Sequence, residues 1–88
     1  MKSILVTGGA GFIGANFVCC FLEKYSDYLI VNLDNLTYAG SLENLSEVKD
    51  YPRHKFIKGN ICNREIVEFL FQEYDIHGVI HFAAESHV

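Results

Sequence analysis

Hydrophobic residues along this 88-residue chain alternate between short continuous runs and stretches with a helical period. We interpret the continuous runs as four strands, at Lys2–Val6, Tyr28–Leu33, Lys55–Lys58 and Gly78–Phe82. The periodic stretches predict helices over Phe12–Tyr25 and Arg64–Tyr74. Between the second and third strands, Leu42–Val48 has room for two helical turns at most, and Pro52 then breaks the chain.

The two long helices differ in how their apolar residues are spread. Asn63 is placed to cap the second helix, which has an apolar face opposite a polar one. The apolar face consists of Ile66, Val67, Leu70, Phe71 and Tyr74. The first helix is apolar nearly all round, so we expect part of it to meet another segment of an intact protein. Its core-facing side chains are predicted to be Phe17, Val18, Phe21 and Leu22.

The order of these elements predicts an α/β fold. Near-continuous apolar strands separated by helices are typical of a parallel sheet covered on both faces. Right-handed crossovers then give a Rossmann-like, doubly wound sheet with strand order 3-2-1-4. A complete dinucleotide-binding sheet has six strands. We therefore expect residues 1–88 to be the N-terminal portion of such a domain, without a substrate domain.

Charge and composition exclude several function classes. The net charge is −4 and the seven basic residues are scattered, unlike those of a nucleic-acid-binding surface. No apolar run reaches the ~20 residues of a membrane span, and no signal-peptide pattern opens the chain. Cys19, Cys20 and Cys62 lack the spacing of a zinc site and are interpreted as small buried residues in a reducing compartment. We expect a cytoplasmic protein.

The segment VTGGAGFIG at 6–14 places four glycines between the first strand and the first helix. Their spacing fits the dinucleotide fingerprint from Gly9, or a wider variant from Gly8. In either register Gly11 allows a pyrophosphate to approach the helix N-terminus, and Gly14 allows the helix to pack closely on the sheet. Glycines also serve ordinary tight turns, so the loop alone leaves both interpretations open.

Asp34 favours the nucleotide interpretation. It lies 20 residues beyond Gly14, at the end of the second predicted strand, where a carboxylate can accept hydrogen bonds from the ribose hydroxyls of NAD. The same charge would repel the 2′-phosphate of NADP, and Asn35 beside it offers no positive charge. An aspartate in this position can also simply begin a loop. Its distance from the glycines predicts NAD as the cofactor.

Three segments resemble the extended short-chain dehydrogenase/reductases: TGGAGFIG at 7–14, VNLDNLTYAGSLENL at 31–45 and HFAAESHV at 81–88. Within that family the chain most resembles the dTDP-glucose 4,6-dehydratases, to which LTYAG and AAESHV are particular. The resemblance covers the whole chain in register. It implies part of an NAD-dependent lyase of deoxysugar biosynthesis, with a nucleotide sugar such as dTDP-glucose as substrate.

The resemblance implies cofactor-binding roles for residues in four loops. The pyrophosphate would lie against Gly8, Gly11, Phe12, Ile13 and Gly14. The adenosine ribose would be lined by Asp34, Asn35, Leu36 and Thr37, and the adenine edge by Asn60 and Ile61. The nicotinamide half would run along Phe82, Ala83, Ala84, Glu85 and Ser86. Ser86 would also contact the sugar nucleotide.

The chain departs from the family pattern at three of these positions. Asn60 stands where the family usually has Asp, and its amide oxygen can still accept a hydrogen bond from the adenine amino group, so we expect weakening only. Asn35 replaces a frequent Lys, and Phe82 replaces a frequent Leu. The changes at Asn60 and Asn35 remove charge near the cofactor, and neither reverses the preference for NAD.

The catalytic residues implied by the resemblance have no counterpart here. In that family the glucose ring gives a hydride from C4 to NAD, loses water across C5 and C6, and takes the hydride back at C6. A helical Tyr-x-x-x-Lys pair, a Thr and an acidic pair would move the protons. Tyr51 and Lys55 have that spacing, but Pro52 lies between them and they precede the third strand. We expect the isolated chain to be inactive.

Two other functions remain open at this point. The chain could be a non-catalytic dinucleotide-binding or interaction module, in which the fourth strand forms an exposed sheet edge and supports self-association. It could also be part of a related nucleotide-sugar 4-epimerase or decarboxylase.

The histidines are interpreted as structural. His81, Glu85 and His87 have a spacing that resembles a metal site, but we expect His81 to be a hydrogen-bonded core residue and predict no metal. His54 and His77 are expected in surface loops.

Overall fold

A computed structural model of the chain describes residues 1–8, 12–35, 45–46, 48 and 50–82. The elements are β1 (Lys2–Thr7), α1 (Phe12–Lys24), β2 (Tyr28–Asp34), β3 (His54–Lys58), α2 (Arg64–Glu73) and β4 (Asp75–His81). The predicted segment Leu42–Val48 lies mostly outside the described residues, although Leu45 and Val48 are buried.

The four strands form one parallel sheet in the order β3-β2-β1-β4, which confirms the predicted fold class and strand order. β1 lies in the centre and pairs with both β2 and β4, so that Leu5 stands between Val31 and Val79. β1 and β4 pair out of register by one residue, with His77 as the extra residue opposite the Ser3–Ile4 step. Such a bulge bends the strand locally.

Two hydrophobic cores cover the two faces of the sheet. On one face, Val6 and Ile30 pack with Val18 and Leu22 of α1 and with Leu45. On the other face, the core is formed by Leu5, Val31, Leu33 and Leu70, the last from α2. Residues alternate between the two faces along β1 and β2, as the period of a strand requires. The fold is therefore a sheet between two layers of helix.

Arg53 ties the end of α1 to the sheet. Its guanidinium donates hydrogen bonds to the carbonyl oxygens of Leu22 (3.0 Å), Tyr25 (2.7 Å) and Tyr28 (3.0 Å). The last carbonyls of a helix have no partner within the helix, and a planar guanidinium can bind several of them at once. Arg53 immediately precedes β3, so these bonds hold the turn between α1 and β2 close to the start of β3.

The capping of α2 is as predicted. The side-chain oxygen of Asn63 accepts hydrogen bonds from the backbone N–H groups of Glu65 (3.0 Å) and Ile66 (3.3 Å). This satisfies two of the donors that a helix N-terminus leaves unpaired. Leu70 is fully buried, but Phe71, which was predicted on the packed face, is half-exposed. It lies about 100° around the helix from Leu70, at the margin of the buried stripe.

β4 differs most from its prediction. It begins at Asp75, three residues before the predicted start, and its residues alternate between exposed and half-buried. Because Asp75 and His77 are polar, the first three residues of this strand do not form an apolar run. Both polar side chains are on exposed positions of β4, which is an edge strand of the sheet formed by the described residues.

The cysteine prediction was wrong for two residues. Cys20 and Cys62 are exposed and Cys19 is half-buried, and none of the three forms a disulfide in the structure. Cys20 lies on the outer side of α1, and Cys62 lies in the turn before α2. A small thiol side chain tolerates either environment, so burial does not follow from residue type at these positions.

Candidate functional site

The carboxyl ends of the four strands meet at one edge of the sheet, and three backbone hydrogen bonds join them there. Gly8 N donates to the carbonyl oxygen of Leu33 (3.0 Å), which links β1 to β2. Gly59 N donates to that of Asp34 (3.0 Å), which links β2 to β3, and Phe82 N donates to that of Thr7 (2.7 Å). In open α/β sheets this edge is the place where ligands bind.

Gly8 begins the loop between β1 and α1. Its φ is 76°, a left-handed conformation that glycine adopts without strain. This residue turns the chain off β1, and α1 begins at Phe12 with its N-terminus at the same edge of the sheet. In the first turn of α1, Ile13 is exposed and Gly14 is buried. A helix N-terminus beside free backbone N–H groups favours an anion such as a pyrophosphate.

Asp34 occupies the carboxyl end of β2. Only 4% of its surface is exposed, whereas the next residue, Asn35, is exposed. A carboxylate in this position stands one strand away from the glycine loop, because β1 and β2 are direct neighbours. It can accept hydrogen bonds from a diol whose adjoining phosphate lies at the helix N-terminus.

The loop after β3 extends the same edge beyond Asp34. Asn60 and Ile61 are exposed there, and the side-chain oxygen of Asn60 accepts a hydrogen bond from Cys62 N (2.8 Å). Gly59 precedes them in close contact with α2, because a Cβ at this position would lie 2.6 Å from Cδ1 of Ile66. The glycine therefore allows α2 to approach the end of β3 and fixes where the loop emerges.

On the other side of β1, Thr7 and His81 lie opposite each other in register. The Thr7 hydroxyl and Nδ1 of His81 are hydrogen-bonded, with Thr7 buried and His81 exposed. The prediction of a hydrogen-bonded histidine is confirmed, but its placement in the core was wrong. β4 is an edge strand of the described sheet, and His81 at its end is exposed, although Ile76 near the start of the same strand packs against the core around Leu70.

His54 was predicted in a surface loop, but it is the buried first residue of β3. Asn32 Nδ2 donates to His54 Nε2 (3.3 Å), and because an amide nitrogen cannot accept, this bond requires a neutral imidazole. Burial lowers the pKa of His54 below its usual value, and the Val48 backbone opposes that shift in part. His77 was also expected in a loop; it lies in β4, exposed, with Nε2 3.1 Å from a carboxylate oxygen of Asp75.

Several predicted site residues lie outside the described part of the chain. They are Gly11, Leu36, Thr37, Ala83, Ala84, Glu85 and Ser86, and His87 of the weighed metal site. The described ones lie at the strand ends, in the loops and in the first helix turn at the carboxyl edge of the sheet: Gly8, Phe12, Ile13, Gly14, Asp34, Asn35, Asn60, Ile61 and Phe82. Sequence reasoning missed Thr7 and Gly59. Their positions in the sequence could have indicated them, because Thr7 immediately precedes the glycines and Gly59 immediately precedes Asn60.

The described residues were also searched for membrane spans and for clusters of metal-binding side chains. None of their helices combines the length and apolar character needed to span a bilayer. Among the same residues, no three or more His, Cys, Asp or Glu side chains lie close enough together to hold a metal ion.

Comparison with known proteins gives consistent results. A family profile described as GDP-mannose 4,6 dehydratase matches residues 5–88. A dTDP-D-glucose 4,6-dehydratase from Mus musculus is 49% identical over 87 residues, which is 99% of this chain and 24% of the mouse protein. This chain thus spans about a quarter of the length of the curated relatives it matches.

Solved structures extend the comparison to the fold. A dTDP-glucose 4,6-dehydratase from Bacillus anthracis in complex with NAD superposes with a TM-score of 0.91 and 49% identity, over 98% of this chain and 28% of the other. A UDP-glucose 4-epimerase from Bifidobacterium longum, in complex with NAD⁺ and UDP, gives 0.74 and 33%, over 91% and 24%. With its profile match over nearly every residue, the chain belongs to the GDP-mannose 4,6 dehydratase family.

Proposed function

We propose that this chain is the NAD-binding segment of a nucleotide-sugar 4,6-dehydratase that acts on dTDP-glucose. The observation that carries the proposal is the buried carboxylate of Asp34 one strand away from the glycine turn at Gly8. The dehydratase from Bacillus anthracis superposes on 98% of this chain and was crystallised with NAD.

The chemistry of the described residues supports this proposal. The left-handed Gly8 and the N-terminus of α1 suit a pyrophosphate, and Asp34 suits an adjoining ribose. Bound NAD would supply the acceptor for a hydride from the sugar ring. The carboxylate selects against a ribose 2′-phosphate, because two negative charges in a partly buried site repel each other.

Within this chain we assign binding roles only. Tyr51 lies in the turn before β3 and Lys55 lies within β3, so the pair is not on a helix and does not form the proton-transfer pair of this family. We therefore propose that the 88 residues hold the cofactor, and that conversion of dTDP-glucose to its 4-keto-6-deoxy product needs residues beyond them. The free exposed thiols of Cys20 and Cys62 suit the reducing cytoplasm.

The test of NAD binding is a titration of the chain with NAD and NADP, followed by NMR so that weak binding is measured. We expect NAD to bind more tightly than NADP. We expect Asp34→Ala to weaken NAD binding by about tenfold, as the loss of hydrogen bonds to a charged group predicts, and to reduce the discrimination against NADP.

Asp75→Ala is the matched control for that titration. Asp75 is an exposed aspartate at the opposite end of β4, so its replacement changes the net charge equally but removes no group from the site. Equal affinity for NAD and NADP in the unmodified chain would contradict the proposal. So would equal losses for Asp34→Ala and Asp75→Ala.

A 4-epimerase is a second candidate, since the Bifidobacterium longum enzyme shares the fold and also carries NAD. The higher identity to dehydratases, 49% against 33%, favours the dehydratase.

We also propose that the isolated chain self-associates through β4. Among the described residues no strand pairs with its outer edge, and Val79 on its open face is 52% exposed. An edge strand with exposed apolar side chains is a template for pairing with another copy. We expect concentration-dependent dimers in sedimentation, reduced by Val79→Lys but unaffected by Lys55→Glu on β3. A monomer at all concentrations would contradict this proposal.

A further inference from the structure

The side-chain amide of Asn60 has a fixed orientation. Its Oδ1 accepts the backbone N–H of Cys62 at 2.8 Å, and only the oxygen of an amide can accept such a bond. The nitrogen, Nδ2, is therefore the polar atom at the other end of the group. It carries two donor hydrogens, and the residue is exposed at the carboxyl edge of the sheet.

The position of this amide relative to Asp34 places it at the base end of a bound nucleotide. Gly59 N bonds to the carbonyl oxygen of Asp34, so Asn60 is one residue beyond a direct link to the end of β2. With the phosphates at α1 and the ribose at Asp34, the base continues in the same direction across the sheet, toward β3. The loop after β3 is the next group of side chains along that line.

We propose that Asn60 presents a hydrogen-bond donor to the base and thereby removes selection for adenine over a 6-oxopurine. This inference rests on the proposed NAD-binding function. The 6-amino group of adenine is itself a donor and meets Nδ2 unfavourably, whereas the 6-carbonyl of hypoxanthine is an acceptor and pairs with it. Adenine can bind Oδ1 only by sharing it with, or taking it from, Cys62 N.

An aspartate at this position would behave differently. One carboxylate oxygen would keep the bond to Cys62 N, and the other would accept from the adenine amino group while repelling a 6-carbonyl. The residue at position 60 therefore sets whether the loop distinguishes the two bases.

The experiment measures the affinities of NAD and of nicotinamide hypoxanthine dinucleotide for the unmodified chain and for Asn60→Asp by NMR titration. We expect the unmodified chain to bind nicotinamide hypoxanthine dinucleotide at least as tightly as NAD, because only the 6-carbonyl can accept from Nδ2. We expect Asn60→Asp to favour NAD by about tenfold or more, as one charge-assisted hydrogen bond gives.

Asn63→Asp is the matched control, because it adds the same charge three residues away and keeps a good helix cap. Its ratio of the two affinities should equal that of the unmodified chain. If the unmodified chain favours NAD as strongly as Asn60→Asp does, the inference about the base is overturned while NAD binding stands. If neither dinucleotide binds any of the three proteins, both the inference and the proposed function fail.

Discussion

β2 and β4 both pair with β1, yet they have opposite surroundings. Val31 on β2 and Val79 on β4 both stand beside Leu5, one on each side. Val31 is fully buried under the core that α2 completes, whereas Val79 is 52% exposed. Pairing to the same strand therefore does not decide how deeply a side chain is buried. Burial depends instead on whether other side chains pack over the residue.

This difference divides the carboxyl edge into two halves. The half around Asp34 and Asn60 is supported by the buried strand β2, by the edge strand β3, whose Phe56 and Ile57 pack against the two cores, and by the cap and first turn of α2. The half around Thr7 and His81 depends on the edge strand β4, on which Val79 and His81 are exposed. We expect the first half to be the more rigid support for a ligand.

The same substitution on the two strands gives the largest effect that tests this comparison. Val31→Ala should lower the free energy of unfolding by about 2–3 kcal/mol, because it removes buried methyl groups and leaves a cavity beside Leu5. Val79→Ala should lower it by less than about 0.5 kcal/mol, as exposed substitutions do. Urea denaturation followed by circular dichroism measures both values.

Since the two valines share a neighbour and a backbone conformation, their difference isolates burial from strand propensity. Equal losses for the two variants would show that a further layer covers β4 in solution. A loss of 2 kcal/mol at Val79 alone would reverse the comparison.

The sequence predicted the covered half of the molecule well and the open half poorly, for one physical reason. β1, β2 and α1 are apolar on every side that meets another layer, so apolar runs locate them within a residue or two. β4 needs apolar residues on alternate positions only, and Asp75 and His77 therefore concealed its first three residues. Edge position is a property of the whole sheet and is not visible in a local window.

The same reason explains the site. The glycine loop, Asp34 and the cap Asn63 could be predicted because each depends on a local geometry that particular residue types satisfy. The bond between Thr7 and His81 joins residues far apart in sequence, and so does the pair of Asn32 and His54. Such contacts depend on which strands become neighbours, so no spacing along the chain could have indicated them.

A smaller effect that tests the difference between the two halves is the dependence of the free energy of unfolding on pH, to which one histidine in each half can contribute. His54 is 4% exposed and accepts a hydrogen bond as a neutral ring, and burial lowers its pKa in the folded protein. The unfolded chain therefore binds a proton more readily, at the usual value of about 6.5. Its contribution to stability is complete above that pH and is lost as pH falls from 6.5 toward the lower folded pKa.

We expect the free energy of unfolding to fall by no more than about 1.4 kcal/mol per pH unit in that window from this group. Urea denaturation between pH 5 and 8 measures the slope, and His54→Gln should flatten it. His77→Gln on β4 is the matched control, because that ring is exposed and its Nε2 lies beside the exposed carboxylate of Asp75. If His77→Gln flattened the slope as much as His54→Gln does, burial of His54 would not be the cause of the pH dependence. The difference in burial between the two halves would then have no counterpart in how their histidines affect stability.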